Sequence, residues 1–284
     1  MTTLFGQKFR RHRPKTQRLT RAFFMALTLL ASYPCSPSAG VEPETLGVDL
    51  ELVLAVDVSS SMSLSEQRIQ RDGYVNAFRH ADLARAIGLG ARGTIAVSYL
   101  EWAGPNYQRV LVPWTTIGSY ADARQFADAL AIQPINNAQP GTSISGAILL
   151  AGELFSQSRT VAARRVIDIS GDGPNNAGLP VAPIRDRLTG SGITINGLPV
   201  SLRRGGSNAF QSYGARYLDH YYEHCVIGGP DAFVIGIDDL NLIEVAIRQK
   251  LVREIAGLAS RPKLASYLAG GQVFDCSMIG TTAR

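Results

Sequence analysis

Neither the phosphate-binding pattern G-x-x-x-x-G-K-[ST] nor the nucleophile elbow G-x-S-x-G occurs in this 284-residue sequence, so phosphate-loop and serine-hydrolase chemistry have no anchor. No internal repeat or low-complexity linker divides the chain, which reads as one domain with room for a sizeable core. Long apolar runs are scarce as well. The run at 22–31 is too short to cross a bilayer, which takes about 20 residues. Cysteine occurs three times, and acidic residues are absent from 1–40, which hold seven of the 28 Lys and Arg.

That absence defines the N-terminus. Lys8, Arg10, Arg11, Arg13, Lys15, Arg18 and Arg21 lead into the short apolar run, a combination that predicts a signal peptide over residues 1–40. Ser38 and Gly40 suit cleavage before Val41, with Ser36 and Ser38 offering another cut; a retained membrane anchor is the alternative. Arg10-Arg11 lies too far from the apolar run to make a good twin-arginine signal. Without the segment, 21 basic residues face 23 acidic ones, so the formal charge moves from +5 to −2. Nucleic-acid binding thereby loses its compositional support. The mature chain is expected in the periplasm or outside the cell, with no stable membrane span. Disulfides persist there, and Cys225 and Cys276 remain: either they pair, or Cys225 is a small buried hydrophobe and Cys276 lies in a loose tail.

Leu52-Val53-Leu54-Ala55-Val56 is a continuous apolar run of the kind found in strands buried on both faces. Ser65 to Ile87 has helical spacing, with Gly73 as an expected interruption. Gly93 to Trp102 and Arg109 to Trp114 read as a strand pair close enough to form a hairpin. Helices are expected over Asp122 to Leu130, Ser143 to Phe155, Pro183 to Leu188 and Leu242 to Leu258. Strands are expected at Arg165 to Ser170, Ile193 to Val200 and Ala232 to Ile237. The alternation predicts an α/β domain over 41–262, with a doubly wound, mostly parallel central sheet and helices on both faces. Lys263 to Arg284 reads as a weakly ordered tail.

Where the first apolar run stops, Asp57-Val58-Ser59-Ser60-Ser61 begins, at the strand end where ligands gather in such sheets. Two other turns present oxygen in the same way. Gly141-Thr142-Ser143 precedes a helix, and Ser170-Gly171-Asp172-Gly173 follows a strand. Hydroxyls with only two carboxylates suit a hard divalent cation that keeps some water, Mg2+ above all, with Mn2+ or Ca2+ as substitutes; zinc is a poor match. Such an ion stays electrophilic and can take a carboxylate from another molecule.

These residues resemble the von Willebrand factor type A domain with its metal-ion-dependent adhesion site, a Rossmann-like fold. The likeness runs from about Val48 to Gly257 and fills all five positions: Asp57, Ser59, Ser61, Thr142 and Asp172. It implies that the two serines bind the metal directly, that the threonine and aspartates bind directly or through water, and that a protein partner's Asp or Glu carboxylate completes the shell. A narrower likeness, in Ser170 to Asn176, Tyr221 to Pro230 and Ala246 to Leu251, is to exported bacterial proteins of unknown function. It implies no activity. Asn175, Asn176 and Glu101 are expected near the rim of the site, against the plain readings of turn asparagines and a strand-edge carboxylate beside a packed Trp.

Two other patterns compete. His220-Tyr221-Tyr222-Glu223-His224 matches the inverted zincin motif H-x-x-E-H, with Glu244 as a third zinc ligand, and supplies the alternative of a zinc peptidase. Gly88-Leu89-Gly90-Ala91-Arg92-Gly93 fits G-x-G-x-x-G but ends a helix instead of opening one, so no nucleotide is expected. A metal-free scaffold of the same fold is the third reading. Asp168, a carboxylate in a core strand, requires a partner, because burying it unpaired costs several kcal/mol.

Overall fold

The apolar run after the N-terminal segment becomes β1 (Leu46–Asp57), buried from Leu50 onward because it lies at the centre of a five-stranded sheet. In this computed structural model the described residues are 45–136, 139–201, 216–257 and Cys276. The segments 1–40 and, Cys276 apart, 263–284 lie outside them. After β1 come α1 (Leu64–Arg79), α2 (Ala81–Gly88), β2 (Ile95–Trp102), β3 (Gln108–Ile117), α3 (Tyr120–Ala131) and α4 (Ile144–Gln157). Next are β4 (Thr160–Gly171), α5 (Val181–Gly190), β5 (Ile193–Pro199), the short α6 (Tyr217–Tyr221) with a π-helical turn at Tyr222–Val226, and α7 (Ile243–Ala256).

The strand order is β3-β2-β1-β4-β5. All pairs are parallel except β2 with β3, which form the antiparallel hairpin. Side chains alternate across β1, so Leu50, Leu52, Leu54 and Val56 pack with α1, α2, α3 and α7 on one face. Val53 and Ala55 pack with α4, α5 and the Tyr221–Val226 stretch on the other. The chain leaves β1 toward β2 and later returns to its opposite edge as β4. The carboxyl ends of β1 and β4 therefore flank the topological switch point, where open α/β sheets hold ligands.

Three local expectations change. The long helix does break, but at His80, whose extended backbone separates α1 from α2 and whose side chain accepts from the Asp82 N–H at 3.2 Å. Gly73 lies within α1, where an added Cβ would meet Ile247 Cδ1 of α7 at 2.8 Å; it is the residue that lets the two helices touch. Residues 232–237 run beside β5 without forming a ladder. Gly197 N–H donates to Phe233 O and Ile235 N–H to Gly197 O, but the next donor on β5 is Pro199, which has no N–H. Only isolated bridges at Gly197–Val234 and Val200–Ile237 survive. No helix among the described residues is long and apolar enough to cross a membrane.

Candidate metal centre

Asp57 ends β1 with no exposed surface. Its Oδ1 accepts the Ser59 N–H at 2.7 Å, which folds the strand end back under the carboxylate. The Ser59 and Ser61 hydroxyls lie 2.8 Å apart, and Ser61 Oγ donates to Asp172 Oδ1 at 2.6 Å. A hydroxyl carries one proton, so Ser61, having committed its own to Asp172, accepts from Ser59. Ser59 keeps both of its lone pairs and Ser61 keeps one. The two loops, far apart in sequence, thus form one polar line from β1 to β4.

The third loop is stitched to both. Gln139 O accepts from the Ser60 N–H at 2.7 Å, and Gly141 takes φ +83°, a conformation that favours glycine, to turn the chain toward α4. Ser143 caps α4 by accepting from Gly146 N–H. Thr142, buried, is gripped from the Asp172 loop: its N–H donates to Asn176 Oδ1 at 2.8 Å, and its carbonyl accepts from Asn176 and Ala177. Its hydroxyl lies 3.9 Å from where a Cβ on Gly173 would stand. Asn175 Oδ1 accepts from Ser145 N–H, and its Nδ2 donates to Leu179 O. Asn175 and Asn176 are therefore braces between the second and third loops, and their side-chain oxygens are engaged with backbone.

Glu101 takes no part in this group. It pairs in register with Val56, so it faces the α1 side of the sheet, opposite Asp57, and there it is buried against the Arg71 guanidinium. Arg71 also donates to the carbonyls of Gln133 and Pro134, at the start of the loop that leads to Thr142. The carboxylate answers an arginine, and the rim position expected for it is corrected.

The zincin pattern fares no better. Its helix, α6, spans five residues before the π-helical turn begins, and the two imidazoles stack at 6.5 Å while His220 Nδ1 faces Glu223 at 3.4 Å. Glu244, the expected third ligand, instead accepts from Asn76 Nδ2 at 3.0 Å, between α7 and α1. Among the described residues, no three His, Cys, Asp or Glu side chains are grouped to hold a metal. The oxygen set at Asp57 falls outside that description because it has only two carboxylates.

Two atoms indicate how well a cation would fit there. Asp57 Oδ2 and the Tyr222 hydroxyl are both buried without a hydrogen-bond partner. Gly171 separates them: a Cβ there would lie 2.9 Å from Asp57 Oδ2 and 2.8 Å from the Tyr222 oxygen, so only glycine fits. Burial, and then the charge of Asp172, push the Asp57 carboxyl up to about 8 against the hydrogen bond from the Ser59 N–H. Burial likewise raises the Tyr222 phenol well above its usual range. The Asp172 charge repels that of the buried Asp57, and a hard divalent cation on their oxygens relieves both. The residues present fit such an ion. Neither Gly171 nor Tyr222 carries a functional signal in the sequence: one reads as a turn glycine, and the other sits inside the zincin pattern.

The described residues also hold one disulfide, between Cys225 of the π-helical turn and Cys276. Asp168 finds its partner in Lys250 of α7.

Comparisons with known proteins agree with this architecture. No curated protein matches the chain. Among solved structures, proximal thread matrix protein 1 from the mussel byssus superposes with a TM-score of 0.52 at 13% identity, over 74% of this chain and 49% of its own. Another structure of that protein, described as having a zinc-occupied MIDAS motif, gives 0.51 at 14%, over 74% and 48%. The pilus adhesin SpaC of Lactobacillus rhamnosus GG, in an open conformation, gives 0.52 at 14%, over 73% and 30%. This chain thus spans about half the length of the mussel protein and under a third of the adhesin. Likeness at such identity concerns the fold alone. A family profile described as "Protein of unknown function (DUF1194)" matches residues 47–259, three quarters of the sequence, and the chain belongs to that family.

Proposed function

We propose that this chain is an exported, non-enzymatic binding protein that engages an acidic group on a protein partner through a divalent cation, Mg2+ first, with Mn2+ or Ca2+ as substitutes. The observation that carries the reading is the buried Asp57 carboxylate, one oxygen without a partner, at the end of a line running through Ser59 and Ser61 to Asp172. Asp57, Ser59, Ser61, Thr142 and Asp172 would hold the ion, whose charge would attract a partner's Asp or Glu carboxylate. The chain's own residues prepare that encounter. Ser59 N–H orients Asp57, Ser61 ties Asp172 to the β1 loop, and Asn176 sets Thr142 against the Asp172 loop. Using hydroxyls in place of further carboxylates keeps negative charge low, so an acidic partner is drawn in and not repelled. The mussel protein's zinc-occupied motif supports a divalent ion in this fold, and the adhesin supports a binding role. Export is supported by the basic and apolar N-terminus and by the disulfide.

Thermal melting in chelator and in Mg2+ or Mn2+ tests the reading. An ion at 100 times its dissociation constant stabilises the fold by about 2.7 kcal/mol. Asp57→Ala and Asp172→Ala are each expected to abolish that gain while melting no lower than the parent in chelator. Between its ordinary 3.8 and about 8, Asp57 in the metal-free fold holds a proton that the unfolded chain has released. Its contribution to metal-free stability is full below 3.8 and is lost as pH rises through about 8, so the metal-induced gain is larger at pH 8 than at pH 6. Variants that respond to metal like the parent would refute the assignment.

A further inference from the structure

We propose, resting on the reading above, that Tyr222 is a positioning residue of the metal centre: when the ion binds, its hydroxyl donates to the Asp57 carboxylate and fixes it as a ligand. The phenol is wholly buried and its oxygen has no partner among the described residues, as is true of Asp57 Oδ2. Both atoms press on the same point above Gly171, within 2.8 and 2.9 Å. One of them has a proton to give, and the other is a carboxylate oxygen with nothing to accept. A buried donor and acceptor left apart each carry a desolvation cost, which their union removes.

The surroundings hold the ring in place. Tyr222 opens the π-helical turn, closed by Ile227 N–H donating to its carbonyl at 3.0 Å, and π-helical turns frequently occur at functional sites. Its ring fills the space over Gly197 of β5, where an added Cβ would meet Cδ1 at 2.7 Å. Next to it, Tyr221 accepts from the Asn175 N–H at 3.3 Å, tying the turn to the Asp172 loop. Cys225, in the same turn, is covalently held by Cys276. A ring fixed on three sides aims its hydroxyl with little remaining freedom, and such a group can set the position of a neighbouring ligand.

Tyr222→Phe separates this role from simple packing, because the ring remains and only the hydroxyl goes. Titration of the metal-free protein with Mn2+ by calorimetry is expected to show binding weakened roughly 10-fold or more, since a hydrogen bond to a charged group is worth at least a factor of that order. Melting in chelator is expected to be unchanged or slightly higher. Parent-like Mn2+ affinity in Tyr222→Phe, with Asp57→Ala still losing binding, overturns this proposal alone. So does weakened binding matched by lower melting in chelator, or failure of the variant to fold, since either would make the hydroxyl structural. A parent that does not bind Mn2+ overturns both this proposal and the reading on which it rests.

Discussion

Lys250→Met is expected to destabilise the protein by about 3–5 kcal/mol, a large share of the stability of an ordinary domain. Lys250 Nζ lies 2.5 Å from Asp168 Oδ1 and 2.5 Å from Glu254 Oε1, with the three side chains essentially sealed from water. Asn196 Nδ2 adds a donor to Glu254 at 2.9 Å, while its Oδ1 accepts from the Phe233 N–H. One ammonium thus serves two carboxylates in the layer between sheet and α7. Burial raises the carboxyls of both Asp168 and Glu254 despite that lysine, the latter to about 7. Without Lys250 both must take up protons or remain as uncompensated buried charge. The deficit should therefore grow from pH 5 to pH 8. Urea unfolding at both pH values measures it, and a loss below about 1 kcal/mol would show that the cluster is not what holds α7 to the sheet. Adding Asp168→Leu and Glu254→Gln is expected to restore most of the stability, because a buried ion cluster replaced whole is often close to neutral.

The second large effect concerns Cys276→Ser, expected to cost about 2–4 kcal/mol. The disulfide spans a sequence separation of 51 residues, and constraining a loop of that size in the unfolded chain corresponds to about 4 kcal/mol in the chain-entropy picture. Cys276 is the half-buried partner, so its replacement disturbs packing less than that of Cys225, which is fully buried beside Tyr221 and Tyr222. Comparison of parent and variant in urea, under oxidising conditions, reads the difference directly. A parent whose midpoint does not change on adding dithiothreitol would contradict a stabilising bridge.

Much of the architecture was legible because it depends on local pattern. The apolar run at Leu52-Val56 marked the central strand, and the β–α alternation marked the doubly wound sheet. The oxygen-bearing turns stood out because each follows a strand or precedes a helix, where a doubly wound fold collects its loop ends. Long-range pairing left no such trace. Asp168 advertised its need for a partner, yet nothing in the sequence near it points to Lys250 on α7 or to Asn196 on β5. The position of Glu101 at a strand end suggests the rim; its actual orientation follows from the register that sets it beside Val56, and a single residue of register decides the face. Tyr222 was hidden differently, since its neighbours formed a zinc-binding pattern that the short α6 and the position of Glu244 do not support. The strand expected at 232–237 failed through the backbone of its neighbour, because Pro199 withholds the hydrogen bond that a ladder needs.

The most direct test is a crystal structure of the protein grown with Mn2+ and recorded where manganese scatters anomalously. One strong peak is expected, bonded to the hydroxyls of Ser59 and Ser61 and reached by Asp57, Thr142 or Asp172, directly or through water. A peak at His220 and His224 instead, or no peak at the ends of β1 and β4 with Mn2+ in excess, would contradict it.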